Sequence, residues 1–201
     1  MSIATIILAA GGSTRLGGTP KQLLTSNGKT LIRRIAESAL SLKAGPVIIV
    51  LGANQEQIRP ELTDLPVLIA INTEWQEGLS SSLRTGLNQL SGDSVNAFLV
   101  VLTDQPHVTS ELLQQLIDTR QQTGKGIVAC RYGEATNLGV PALFDIHYKS
   151  EFLNLSGDVG ARKLMQLYVD DCAVIPFPLA AIDLDTWQDV EKWRGWHELR
   201  R

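Results

Sequence analysis

Cysteine is scarce in this sequence. Cys130 and Cys172 are its two copies, far apart, and neither has a Cys or His neighbour at metal-ligand spacing. That pattern argues against a disulfide framework or a Cys/His zinc site, and the apolar settings "GIVACRY" and "DDCAVIPF" predict two buried, reduced thiols. Long hydrophobic runs are missing too: none approaches the roughly 18 apolar residues of a membrane span. The opening "MSIATIILAAGG" lacks the cationic start of a secretory signal, and its apolar run ends in glycines followed by Arg15, so it reads as a buried strand. No excess of positive charge exists, the net being −3, which speaks against nucleic acid held by nonspecific phosphate attraction. A cytoplasmic protein without membrane or nucleic-acid partners is the expectation.

The remaining composition is that of a folded globule, with 44% hydrophobic and 19% charged residues in 201. A chain of this length buries roughly 70% of its unfolded surface and needs no staples. Short, nearly continuous apolar runs occur at residues 4–10, 46–51, 66–71, 97–103, 126–131 and 173–178, each bounded by Gly, Pro or Asp. That is how strands buried on both faces read. Between them, "TLIRRIAESALSL", "GLSSSLRTGLNQL" and "TSELLQQLIDTRQQ" repeat apolar residues at helical spacing, and "DTWQDVEKW" opens a last helix with Thr186 as N-cap and Asp189 three residues on. Strands alternating with helices predict a single α/β domain over residues 1–201, with a mostly parallel, Rossmann-like central sheet flanked by helices.

The first strand runs straight into "LAAGGSTRLGGTPKQLL", residues 8–24. Ligands of open α/β sheets bind at this carboxyl edge. The loop is neither G-x-G-x-x-G nor a P-loop, because Gly18-Thr19 stands where Lys-Ser/Thr is required after the G-x-x-x-x-G of Gly12 to Gly17. Glycines nevertheless let backbone N–H groups reach an anion, Arg15 can fork across phosphate oxygens, and Lys21 adds a point charge. A bland reading, a surface turn with two solvated cations, competes with this one.

A phosphate chain usually needs a divalent cation. In "FLVVLTDQPHV", Asp104 follows an apolar strand at the same expected edge, and serves either as a Mg²⁺ ligand or as a turn former. Asp183 and Asp185 precede the last helix, and alternate residues of an extended segment point apart, so one of the two is expected to face the site. Ser80, Ser81 and Ser82 open a helix, as ligand contacts or as simple caps. Arg84 reaches an acceptor or solvent. Asp158 orients an acceptor or starts a helix. Trp75 is a packing anchor or, less in keeping with its type, a stacking platform.

In order along the chain, "LAAGGSTRLGGTPKQLL", "NTEWQEGLSSSLRTGL", "LTDQPHV", "NLGVPALF", "LSGDVGARKLM" and "IDLDTWQDVEKW" resemble the molybdenum cofactor cytidylyltransferases, within the GT-A-like nucleotidyltransferases. The resemblance spans about residues 3–194. It implies a GT-A-type fold and transfer of a cytidylyl group from CTP to the phosphate of a molybdopterin-type cofactor, with Mg²⁺ and release of pyrophosphate. It implies nucleotide contacts from Ala9, Ala10, Gly11, Gly12, Ser13, Arg15, Lys21, Gly78, Ser80 and Ser82. Arg15, Lys21 and Asp104 would be catalytic, and Asp104 with Asp183 or Asp185 would hold the metal. Acceptor contacts would come from Ser81, Arg84, Gly139, Pro141 and Asp158. The alternatives are another nucleotide or acceptor (GTP with molybdopterin, a sugar phosphate, an isoprenoid-precursor phosphate), or a non-catalytic carrier delivering cofactor to a molybdoenzyme apoprotein.

Overall fold

The computed structural model describes residues 2–90, 95–132, 137–181 and 183–198. Its strands are β1 (Ile3–Ala9), the short hairpin β2 (Thr25–Ser26) and β3 (Lys29–Thr30), β4 (Val47–Leu51), β5 (Leu68–Ile71), β6 (Ala97–Leu102), β7 (Ile127–Arg131), β8 (Leu138–Asp145) and β9 (Cys172–Pro176). The helices are α1 (Leu31–Ser41), α2 (Gln55–Ile58), α3 (Leu79–Leu87), α4 (Ser110–Thr123), α5 (Lys149–Leu153), α6 (Arg162–Leu167) and α7 (Trp187–Glu198).

Seven strands form one sheet in the order β5-β4-β1-β6-β8-β7-β9, with β1 at the centre of the parallel half. Within this sheet every strand pair is parallel except those made by β8, which runs antiparallel to both β6 and β7. The apolar runs of the sequence mark six of these seven strands. The seventh, β8, falls in a stretch holding Gly139 and Pro141, residues that ordinarily weaken a central strand. Pro141 is tolerated there behind a cis Val140–Pro141 bond, opposite a register shift at Ala129/Cys130.

Period-two alternation in β1 divides the core. Ile3, Ile7 and Ala9 face α1 and α4, while Ala4, Ile6 and Leu8 face α3 and α5. A third, smaller cluster joins Leu16, Leu24 and Leu31 to Leu184, Val190 and Trp193, all buried. The C-terminal segment thereby packs beneath the glycine loop. Helix ends follow the sequence signals closely. Thr109 caps α4 by accepting the Leu112 N–H, and Thr186 and Asp189 exchange bonds ahead of α7. Cys130 is fully buried as expected, but Cys172, at the first position of the edge strand β9, is only half-buried. Ser156-Gly157-Asp158 does not start a helix; α6 begins later, at Arg162. Among the described residues no helix is long and apolar enough to cross a membrane.

Candidate active site

The glycine loop leaves β1 and turns back on itself through two short helical turns, with Ser13, Gly17 and Gly18 in the left-handed region. Two side chains fix this path. The Ser13 hydroxyl accepts the Lys21 N–H (3.0 Å), and the buried Gln22 carboxamide donates to Ala9 O (2.8 Å) and Gly11 O (3.2 Å). Carbonyls at a strand end would otherwise be left unpaired in a buried setting. Leu16 anchors the loop below, in the third cluster. Gln22 carries no ligand-type signature in the sequence, and its role emerges from geometry alone.

Opposite the loop, β6 ends at Leu102 and delivers Asp104. The Leu184 N–H donates to Asp104 O (3.0 Å), which lays the 183–185 segment alongside. Lys21 then stands between two acids, its Nζ 2.5 Å from Asp104 Oδ2 and 3.0 Å from Asp185 Oδ1. Arg15 Nη1 donates to the other oxygen of Asp185 (2.9 Å). Burial works against the Lys21 charge, but the Asp104 and Asp185 carboxylates outweigh it and raise its pKa. Asp183 shows the reverse: desolvation first, then the charges of Asp104 and Asp185, push it up to about 6.

A cavity of about 550 Å³ opens over this cluster. The loop residues Ala9, Ala10, Gly11, Gly12, Ser13, Arg15 and Lys21 form one wall. Trp75, Gly78, Ser82 and Asp158 form another, with Asp104 and Asp185 at the base. Trp75 packs against Gly12, where an added Cβ would lie 3.2 Å from the indole ring, so it is a packing anchor that also lines the cavity. A second cavity of about 300 Å³ adjoins the first and shares Leu8, Leu79, Leu102 and Asp158 with it. Gly139, Gln105, Tyr132 and Asp183 belong to this second space. Gln105 donates to Tyr132 Oη (3.0 Å) and Val140 O (2.9 Å), and Tyr132 lies over Gly139, where no Cβ would fit. Neither Gln105 nor Tyr132 stands out in the sequence by residue type.

Four of the expected contacts are not brought to either cavity. Ser80 is fully buried and donates to Gly157 O (2.7 Å). Ser81, also buried, donates toward Gly78 O (2.8 Å) and Glu74 O (3.0 Å) and accepts from Asn72. Arg84 is engaged by Leu155 O (2.7 Å) and Glu77 (3.0 Å). Pro141 is buried within β8. In each case the polar or restricted group serves the packing of α3 or β8. Gly78 itself has φ +107°, and a Cβ there would lie 2.8 Å from the Gly157 and Asp158 backbone. Only glycine admits that close approach between the two segments.

Among the described residues no three Asp, Glu, His or Cys side chains are assembled as a metal cage. Two carboxylates and a bound phosphate chain are nevertheless what Mg²⁺ ordinarily takes. Asp104 Oδ1 is buried without a hydrogen-bond partner, an acceptor atom at the cavity base that fits such an ion.

Fold and site together define a nucleotidyltransferase of the GT-A-like type. Residues 5–172 match the MobA-like NTP transferase domain, and the chain belongs to that family. A curated relative, nicotine blue oxidoreductase of Paenarthrobacter nicotinovorans, is 30% identical over 82% of this chain and 81% of its own length. Bifunctional protein GlmU of Streptomyces avermitilis is 30% identical over 68% of the chain, which spans only 29% of that protein. Among solved structures, Rv0371c of Mycobacterium tuberculosis superposes with a TM-score of 0.81 at 28% identity, covering 96% of both chains. A manganese complex of the same protein gives 0.78 at 26% identity, covering 96% of this chain and 97% of that one.

Proposed function

We propose that this nucleotidyltransferase moves a cytidylyl group from CTP to the phosphate of a molybdopterin-type cofactor, releasing pyrophosphate. The observation that carries the reading is the Arg15–Lys21–Asp185–Asp104 cluster, set at the base of one cavity and beside a second. The larger space, walled by the glycine loop, suits the nucleotide; the smaller suits the body of the acceptor.

A phosphate oxygen of the acceptor attacks the α-phosphorus of CTP, the bond to the bridging oxygen of the β-phosphate breaks, and pyrophosphate departs. The attacking oxygen is already anionic, so no general base is required, and among the described residues no histidine lines either cavity. Catalysis then rests on positioning and on charge. Arg15 and Lys21 stabilise the negative charge that develops on pyrophosphate, while the loop N–H groups hold the triphosphate in place. Asp104 and Asp185 would hold a divalent cation, which supplies Lewis-acid neutralisation of the phosphates when bound. Lys21, which lies between these two carboxylates, would then offer its ammonium to phosphate oxygens. Two unpaired cysteines suit a reducing compartment such as the cytoplasm. Delivery of the product to a molybdoenzyme apoprotein is a further role compatible with the same chain.

Pyrophosphate release with Mg²⁺, measured for CTP, GTP, ATP and UTP with and without the molybdopterin-type acceptor, tests the reading. Release is expected with CTP and only when acceptor is present. Release with a different nucleotide moves the base assignment. Cofactor binding with no release from any nucleotide overturns transfer in favour of a carrier.

A further inference from the structure

Asp183 and Asp185 flank Leu184, whose side chain is fully buried and whose N–H is spent on Asp104 O. Extended geometry turns the two carboxylates apart. Asp185 lines the larger cavity and engages Lys21 and Arg15; Asp183 lines the smaller one. Among the described residues no salt bridge reaches Asp183, and its noted neighbour there is the buried Gln105 carboxamide. The facing walls are apolar, with Leu8, Leu79, Leu102, Leu138 and Val140. The other polar groups of this cavity are the Tyr132 hydroxyl, already donated to Val140 O, and at its rim Asp158 and Arg162, the latter donating to Asn137 (2.8 Å).

We propose that Asp183 reads the acceptor and does not hold the divalent cation. Its carboxylate accepts hydrogen bonds from an N–H edge of a flat, nitrogen-rich heterocycle seated between the leucine walls. The inference rests on the transfer reading above. A polyhydroxylated body would set hydroxyls against leucines without partners, whereas a flat ring with one donor edge leaves none. Like charge also keeps the acceptor phosphate away from Asp183 and directs it toward Lys21 and Arg15. The metal falls to Asp104 and Asp185.

Two variants of the full chain, Asp183→Asn and Asp185→Asn, separate the roles. Mn²⁺ binding in the presence of CTP, read by electron paramagnetic resonance, is expected to stay within about twofold of wild type in the first and to weaken about tenfold or more in the second. With the molybdopterin-type acceptor, Asp183→Asn is expected to raise the acceptor KM about tenfold while the CTP KM stays put. Equal loss of Mn²⁺ affinity in both variants would make Asp183 a metal ligand and overturn the proposal. An unchanged acceptor KM would overturn it as well. Absence of turnover by the wild-type protein would instead strike the transfer reading, and the Mn²⁺ comparison would still decide which acid serves the ion.

Discussion

Lys21 and Asp104 form a close ion pair at the base of the larger cavity, 2.5 Å between Nζ and Oδ2, with each side chain about four-fifths or more hidden from solvent. The pair joins the glycine loop to the end of β6, and Asp185 joins it from the C-terminal segment at 3.0 Å. Replacing Lys21 by Ala leaves two nearby carboxylates facing each other and removes a charge from the phosphate subsite. We expect kcat/KM for the nucleotide to fall about 10²-fold. Lys21→Arg is expected to restore little, because a planar fork does not reproduce one ammonium shared by two carboxylates. Steady-state kinetics of both variants checks this; full activity in Lys21→Ala would remove the residue from the phosphates.

Gly78 joins the two cavities by letting the start of α3 touch Gly157 and Asp158. Gly78→Ala combines a positive φ with a backbone clash at 2.8 Å. A loss of at least about 2 kcal/mol in unfolding free energy is expected. Gly11→Ala is the control, since a Cβ there meets nothing within 4 Å. Its stability should match wild type in denaturant melts, whatever it does to nucleotide affinity.

Much of this arrangement could be read beforehand, for a physical reason. Strands buried on both faces write themselves as apolar runs, and the loop's glycines and cations have few other uses. The alternation argument also foretold that Asp183 and Asp185 diverge, though not that each would meet its own cavity. What escaped was set by tertiary contacts. Strand β8 is antiparallel and carries Gly139 and Pro141, so its pattern is broken where its neighbours' is continuous. Ser80, Ser81 and Arg84 carry ligand-like chemistry, yet their groups go to Gly157, Gly78 and Leu155 carbonyls. Gln22 and Gln105 look like ordinary polar residues, and only their burial beside the carbonyls of Ala9 and Val140 gives them a task.

Acid should loosen the fold at the junction of β8 and α4. Desolvation disfavours the charged form of Asp145, but bonds from the His147 N–H and from Arg120 outweigh it and lower its pKa. A carboxyl depressed in the folded state adds stability above its unfolded pKa, near 3.9, and that stability is lost as pH falls through the folded value. Asp145→Asn should therefore be about 1–2 kcal/mol less stable than wild type at pH 7. The difference should shrink as pH falls below about 3.9 and close once the folded Asp145 carboxyl takes up its proton. Urea melts across this range check the sign; a gap that widens toward acid would refute it.

The family match ends at residue 172, yet the acid that holds Lys21 and Arg15 comes from beyond it. Its position depends on the third cluster, where buried Trp193 and Val190 of α7 pack with Leu184 and with Leu16 under the glycine loop. One small core thus holds both the phosphate-facing cations and the second acid, so loosening it should be felt on both sides. Trp193→Ala opens a cavity there and should remove about 3–5 kcal/mol of stability, and Trp193→Phe markedly less. A purely structural defect would lower the amount of folded enzyme and leave the KM of the folded fraction alone. We expect instead that, at a temperature where Trp193→Ala is still folded, the nucleotide KM and the Mg²⁺ concentration for half-maximal rate both rise, with Trp193→Phe recovering most of each. Unchanged values in folded Trp193→Ala would show that the loop and Asp185 hold their places without this cluster.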